Sequence, residues 1–159
     1  MRRMSEPIRL EDFHDPSGPR ISYVIARLER AVRKAINARV SEYGLTTLQY
    51  TTLSVLGRRG ELSNAQLARR AYMTPQSMSE VIEALEAKGL ITRSQHPSHR
   101  RVYPATLTAE GKRVLAACDA EVDAFEREML APLSPRERRA LETGLVKAVR
   151  ALRAGLPEH

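Results

Sequence analysis

Four helix start signals divide this chain into short helices and constrain its fold more than any other feature. At three of them a Ser or Thr is followed three residues later by Gln or Glu, the spacing of a capping box that satisfies free backbone N–H groups. These boxes begin at Thr46, Ser63 and Ser134. At the fourth signal Thr74 precedes Pro75, an N-cap followed by proline at the first helical position. The four signals predict a mainly α-helical chain.

The spacing of apolar residues between these signals predicts the order of the elements. The order is a long helix, a helix, a short helix, a further helix, a β-hairpin, a long helix and a last helix. The hairpin strands are predicted over residues 90–95 and 100–107, joined by the turn sequence His-Pro-Ser-His at 96–99. Pro104 cannot donate a ladder hydrogen bond, so we expect it at an edge or a bulge. The predicted fold class is mainly α with a small β-hairpin.

Charge and composition limit the partners and the compartment. The 159 residues carry a formal net charge of +7, which favours a polyanionic partner but leaves nucleic acid, anionic lipid and simple solubility open. An aromatic content of 4% without Trp argues against a stacking surface for single strands. No apolar stretch approaches the roughly 20 residues that span a bilayer, and the first residues lack the apolar core of a secretory signal. With a single cysteine, Cys118, a cytoplasmic protein without membrane contact is expected.

The middle of the chain has the features of a DNA-binding surface. A short capped helix, a tight turn and a helix with a polar N-terminal face are followed at once by a basic hairpin. In a helix–turn–helix the second helix enters the major groove, and its N-terminal residues meet the base edges. Arginines at a hairpin tip can enter the minor groove or contact phosphate. The predicted double-stranded-DNA-binding residues are Ser63, Asn64, Thr74, Pro75, Gln76, Ser77, Ser79, Glu80, Arg93, Arg100 and Arg101.

Acidic residues on the second helix keep another interpretation open. Phosphate repels Glu80, Glu83 and Glu86, so the outer face of this helix could simply be solvated. The chain could also be a winged-helix module that binds protein instead of DNA. Alternatively, Glu80 could accept a hydrogen bond from cytosine N4 while Gln pairs with adenine. The chain has no glycine-rich phosphate loop, no catalytic Cys–His pair and no complete metal-ligand set, so we expect no enzyme activity and no cofactor.

Over nearly its whole length the sequence resembles the multiple-antibiotic-resistance regulator (MarR) family. The runs that carry the resemblance are ELSNAQLARRAYMTPQSMSEVIEALEAKGLITR and HPSHRRVYPATLTAEGKRVL. The first looks like the family's helix before the turn and its recognition helix, and the second like the end of its wing and the start of the next helix. The resemblance implies a winged helix–turn–helix with N- and C-terminal dimerisation helices, and a transcriptional regulator that is more often a repressor.

The resemblance also implies how the chain is divided. Residues 1–17 are predicted to be a mobile arm, 18–45 a dimerisation helix, 46–107 the DNA-binding lobe and 108–159 the C-terminal dimerisation helices. The terminal helices carry more apolar residues than one small winged helix needs. The expected partner is therefore a second copy of the chain, and the homodimer should bind an inverted-repeat operator. In the alternative, these helices complete the core of a monomer.

In the MarR family a small phenolic or otherwise anionic effector often binds between the dimerisation helices and the DNA-binding lobe. Tyr23, Arg27 and Tyr50 lie on helices that would line such a cleft, although tyrosines there can also serve only for packing. The family wing usually carries aspartates where this chain has His96 and His99. If the two histidines gain a positive charge on acidification, DNA binding should become tighter. In the alternative, both histidines are neutral residues of the turn with no effect on binding.

Cys118 lies in register with the apolar residues of the long helix that follows the hairpin. Some members of the MarR family sense oxidants with a cysteine, commonly one near the N-terminal helix. The position of Cys118 instead predicts a buried structural thiol.

Overall fold

The computed structural model describes Gly18 and residues 20–71 and 73–152. Six helices and two short strands follow one another in these ranges, in the order that the sequence predicts. Their bounds are α1 Ile21–Ser41, α2 Thr47–Arg59, α3 Asn64–Arg70, α4 Pro75–Ala87, β1 Ile91–Arg93, β2 Ala105–Leu107, α5 Ala109–Leu130 and α6 Pro135–Ala151. The mainly α fold class with a small hairpin is confirmed. The predicted arm of residues 1–17 lies outside the described residues.

The four helix starts predicted at Thr46, Ser63, Thr74 and Ser134 are formed by the expected side chains. Thr46, Ser63 and Ser134 each accept a hydrogen bond from the backbone N–H three residues on, and the Gln or Glu at that position returns its side chain to the cap N–H. Thr74 and Thr108 cap α4 and α5 in the same manner without the returning side chain. Because the first N–H groups of a helix have no partner within it, these caps determine where each helix begins.

Helices α1 and α4 end at glycines in the left-handed region. Gly44 has φ of 70° and Gly89 has φ of 69°, a conformation that costs a residue with a Cβ more than it costs glycine. The residue after each glycine donates its N–H to the carbonyl five positions back, at 3.1 and 3.0 Å. This bond closes the helix and reverses the chain. At Gly89 the reversal leads α4 directly into the hairpin.

The hairpin strands are shorter than predicted. β1 and β2 pair antiparallel over three residues each, with Arg93 opposite Ala105. The predicted strands over 90–95 and 100–107 were therefore wrong in extent. Pro104 lies just before β2 and has no N–H to continue the ladder. Its carbonyl oxygen accepts a hydrogen bond from the backbone N–H of Ser94 at 3.3 Å. Leu62 adds an isolated bridge to Ala105 that the sequence analysis did not predict.

The core lies among α2, α3, α4, the hairpin and α5. Its largest fully buried side chains are Leu53, Leu56, Leu67, Met78, Ile82, Leu85, Val40 and Cys118. Val81, on the same helix as Met78, Ile82 and Leu85, is only half-buried. Burial of Cys118 agrees with its predicted structural role.

Helix α6 contributes no buried residue. The chain forms two compact units that divide within α1, between Ala35 and Ile36. None of the helices in the described ranges is long and apolar enough to cross a membrane.

Candidate nucleic-acid interface

The first residue of α3 is hydrogen-bonded to the first turn of α4. The amide Nδ2 of Asn64 donates to the carbonyl oxygen of Pro75 at 3.0 Å and to the hydroxyl of Ser79 at 2.9 Å. Ser79 in turn donates to the same Pro75 carbonyl at 3.0 Å. Asn64 Oδ1 is buried without a partner among the described residues. These three residues therefore fix how the two helices of the helix–turn–helix meet.

The cap hydroxyls of the predicted site are also engaged. Ser63 caps α3 by accepting from the backbone N–H of Gln66 at 3.3 Å. Thr74 accepts from the N–H of Ser77 at 3.1 Å and donates its own hydrogen to the Ser77 hydroxyl at 2.9 Å. Ser77 and Ser79, predicted to face outward, are both half-buried. The short polar side chains of the predicted surface thus hold the backbone in place.

Two longer side chains on α4 face outward. Gln76 and Glu80 are exposed, and neither has a hydrogen bond or an ion pair with any described residue. Positions four residues apart lie on the same side of a helix, and Glu83 continues that exposed stripe. Pro75 is exposed beside them. The outer surface at the start of α4 therefore presents one amide and one carboxylate to an incoming ligand.

Arg93 and Glu86 form an ion pair between β1 and the end of α4. The Nε and Nη2 atoms of Arg93 donate to one Glu86 carboxylate oxygen at 3.0 and 2.5 Å. This hydrogen bonding raises the pKa of Arg93 above its ordinary value, outweighing the opposite effect of its burial. The pair neutralises one of the three acids on α4. It also holds the Arg93 guanidinium, for which the sequence predicts a contact with DNA, against the Glu86 carboxylate.

A compact turn joins the two strands. His96 N–H donates to the Val102 carbonyl and Val102 N–H to the His99 carbonyl, each at 2.9 Å. Nδ1 of His96 accepts from the backbone N–H of Ser98 at 3.1 Å, and the two imidazole rings lie 5.1 Å apart. Nδ1 of His96 therefore acts as a hydrogen-bond acceptor within the turn. The described residues contain no group of three or more His, Cys, Asp or Glu that could hold a metal ion.

Arg100 and Arg101 lie at the exposed end of this turn. The backbone carbonyl of Arg100 accepts from Nε2 of Gln95 at 2.9 Å, which braces the loop. The guanidinium groups of both arginines have no partner in the described ranges. They are therefore available to an anionic ligand.

Lys88, the residue just after α4, makes a contact that could not be predicted from the sequence. The Lys88 ammonium donates to the Gly44 carbonyl and lies 3.4 Å from Oε1 of Gln49. It thereby connects the end of α4 to the corner between α1 and α2. Cations favour the carbonyl ends of helices, but the sequence does not indicate which helix end would be near.

The three residues predicted to line an effector cleft fall in different units. In the first unit the Arg27 guanidinium lies 5.9 Å from the centre of the Tyr23 ring, a cation–π arrangement. In the second unit the Tyr50 hydroxyl donates to Asp119 at 2.8 Å. Burial, with Asp119 as the next cause, raises the pKa of Tyr50 above its ordinary value. Tyr50 thus serves at least as a link between α2 and α5.

A pocket of about 490 Å³ lies between the end of α2, β2 and the first half of α5. Its walls are largely apolar, with charged groups supplied by Glu61, Lys112 and Asp119. Tyr23, Arg27 and Tyr50 are not among its lining residues, although Asp119 is the partner of Tyr50. The sequence analysis did not predict this pocket, because it forms only where three separate elements meet.

Comparisons with known proteins agree with this architecture. Residues 43–102 match the sequence profile of the MarR family. An HTH-type transcriptional repressor of Mycobacterium tuberculosis is 35% identical over 127 residues, which cover 80% of this chain and 91% of that protein. A probable transcriptional regulator from Pseudomonas aeruginosa superposes with a TM-score of 0.72 at 28% identity, over 81% of this chain and 96% of that one.

The transcriptional repressor CouR, solved with a 23-mer DNA duplex, has the same fold. It superposes with a TM-score of 0.76 at 24% identity, over 82% of this chain and 92% of that one. The sequence relatives and the winged helix–turn–helix architecture lead to the same conclusion. The chain belongs to the MarR family of DNA-binding transcriptional regulators, which are not enzymes.

Proposed function

We propose that this chain is a homodimeric repressor that inserts the start of α4 into the major groove of its operator while the wing holds the adjacent backbone or minor groove. The observation that carries the proposal is the exposed start of α4, together with the exposed guanidinium groups of Arg100 and Arg101 in the hairpin turn, which have no partner among the described residues. Arginine at a narrow minor groove meets an enhanced negative potential. The net charge of +7 favours the same polyanion. Its expected place of action is the cytoplasm.

Exposed apolar residues on the terminal helices support a dimer. Leu141 and Leu145 of α6 are each 37% exposed, and Leu152 after it is 80% exposed. Ile21 and Leu28 on α1 are also exposed. A helix with an unburied apolar stripe gains stability by covering it. Two-fold pairing through these helices would present two α4 helices about one DNA turn apart, so the operator would be an inverted repeat.

The pocket beside α5 supports control by a small effector. Its size suits a small organic molecule with an apolar body, and the Lys112 ammonium in its wall would pair with an anionic group. A ligand there would contact both β2 at the base of the wing and α5. To release DNA, the ligand must bind more tightly to a conformation in which β2 and α5 are arranged unfavourably for DNA binding than to the DNA-binding conformation. An effector-binding role for Tyr23, Arg27 and Tyr50 is a separate proposal, because these residues are not among those that line this pocket.

The function is tested by titrating duplex genomic fragments with the purified protein at two salt concentrations. The logarithm of the affinity should fall with the logarithm of the salt concentration, by about 0.9 for each phosphate neutralised. Arg100→Ala should weaken binding by about 1–3 kcal/mol, because a groove contact is lost. Arg136→Ala on α6 removes the same charge away from the proposed surface and should change affinity little. Equal effects of the two substitutions would contradict the assigned surface.

The dimer has its own test. Light scattering after size exclusion should give twice the 17.8-kDa chain mass at micromolar concentration. A stable monomeric mass would argue that the terminal helices serve the core of a single chain.

A further inference from the structure

We propose that Gln76 and Glu80 are the two base-contacting side chains of α4, and that they select an adenine and a cytosine about two base-pair steps apart in each half of the operator. The inference rests on the proposed DNA-binding function and specifies what that surface selects. It follows from which polar groups of the helix–turn–helix are already used within the protein.

Asn64 and Ser79 are excluded by their hydrogen bonds to each other. The Pro75 carbonyl can only accept, so it determines that the NH₂ group of the Asn64 amide faces α4. The other hydrogen of that NH₂ group goes to Ser79, whose own hydrogen is given to the same carbonyl. To contact a base, either side chain would have to abandon the bonds that hold α3 against α4. Both therefore position the helix.

Thr74 and Ser77 are restricted in a similar way. The single hydroxyl hydrogen of Thr74 is donated to Ser77, and its oxygen caps the helix. Ser77 retains a free hydrogen, but its side chain is short and the residue is half-buried. Neither group extends beyond the surface of α4. Of the two, Ser77 alone has a hydroxyl hydrogen left to donate to a phosphate that passes the helix start.

Gln76 and Glu80 remain, and helix geometry fixes their spacing. A rise of about 1.5 Å per residue separates them by about 6 Å along the helix. Stacked base pairs are about 3.4 Å apart, so the two side chains meet bases about two steps apart. Glu83 follows on the same stripe about 10.5 Å from Gln76. A recognition helix lies in the groove with its N-terminal residues at the base edges, so Glu83, in the third turn, lies beyond the contacted bases.

The chemistry of the two side chains indicates the bases. The Gln76 amide offers one donor and one acceptor group, which match N7 and N6 of adenine. A carboxylate only accepts, and guanine and the O4 of thymine present only acceptor atoms in the major groove. Adenine N6 lies beside an acceptor, whereas cytosine presents N4 alone. Glu80 should therefore select cytosine, while its charge lowers the affinity for DNA of every sequence.

The test is a selection of bound duplexes from a library with randomised half-sites, using the wild type, Gln76→Ala and Glu80→Gln. The wild type should enrich an adenine and a cytosine about two steps apart. In Gln76→Ala the preference for adenine over the other bases at that position should fall by about 5–150-fold, which is the contribution of one good base contact. Glu80→Gln should lose the cytosine preference and bind random-sequence DNA more tightly than the wild type.

Two further variants serve as controls. Glu83→Gln removes the same charge from the same stripe, so it should raise non-specific affinity and leave the selected sequence unchanged. Ser79→Ala should also leave the selected bases unchanged, because Ser79 only positions α4. A wild type that enriches no duplex would refute DNA recognition itself. A clear wild-type site that persists in both Gln76→Ala and Glu80→Gln, or a base preference altered by Ser79→Ala, would overturn this inference alone.

Discussion

Gly111→Ala should destabilise the protein, because Gly111 lies directly against the start of the wing. A Cβ built at this third residue of α5 would be 1.9 Å from the Leu90 carbonyl oxygen and 2.9 Å from its carbonyl carbon. Since real Cβ contacts stay beyond 3.0 Å, the Leu90 carbonyl would have to move by about 1 Å. The same oxygen accepts from the Thr108 N–H at 3.1 Å, so the movement would break the bond that joins the hairpin to α5.

The expected loss follows from three contributions. Overpacking against backbone costs about 1–3 kcal/mol, and loss of the Thr108 hydrogen bond costs about 1 kcal/mol. The better helix propensity of alanine returns about 1 kcal/mol. The free energy of unfolding should therefore fall by about 1–3 kcal/mol. At about 2–4 °C per kcal/mol for a chain of this size, the melting temperature should fall by about 2–12 °C.

Urea denaturation at fixed protein concentration measures this change. Gly57→Ala is the matched control, because its Cβ would meet Cδ2 of Leu115 at 2.6 Å and Cδ1 of Leu107 at 3.6 Å, which are both ends of side chains that can turn aside. The control should stay within about 1 kcal/mol of the wild type. A Gly111→Ala protein as stable as Gly57→Ala would refute the argument that the Leu90 backbone leaves no room at this position.

Three further substitutions or reactions test other parts of the fold. Burial, followed by the charges of nearby acids, raises the pKa of Cys118 to about 11. At pH 8 the thiol should therefore react slowly with a disulfide reagent in the native protein and quickly in urea. A fast reaction of the native protein would show that the thiol is accessible. Tyr50→Phe removes the bond to Asp119 and should cost about 1 kcal/mol in urea denaturation, whereas unchanged stability would mean that the bond contributes nothing net. Thr74→Ala should lower stability by about 0.5–2 kcal/mol and Thr74→Ser should restore most of it; equal losses would show that the cap hydroxyl is not responsible.

The helix starts could be predicted because their chemistry is local. A cap at Ser63 depends on a residue three positions away, and the sequence contains both partners. The same holds for Thr74 followed by Pro75. The ends of the hairpin strands were harder to predict, because β propensity continues past the point where a proline and a tight turn end the ladder.

Contacts between elements could not be derived from spacing. The bonds of Asn64 to α4 span 11 and 15 residues, and they exist only because α3 crosses the first turn of that helix. The pairing of Arg93 with Glu86 likewise depends on the direction in which the chain leaves Gly89. The sequence therefore indicated the polar groups near the groove, and packing decides which of them are free to contact DNA.

Hydrogen–deuterium exchange of the protein with and without an operator fragment tests the central claim most directly. Binding through α4 and the wing predicts slower exchange at residues 74–80 and 96–102, with no comparable change at residues 135–142 at the start of α6. Protection confined to the terminal helices, or none in the α4 and wing segments when the protein is saturated with DNA, would contradict the account.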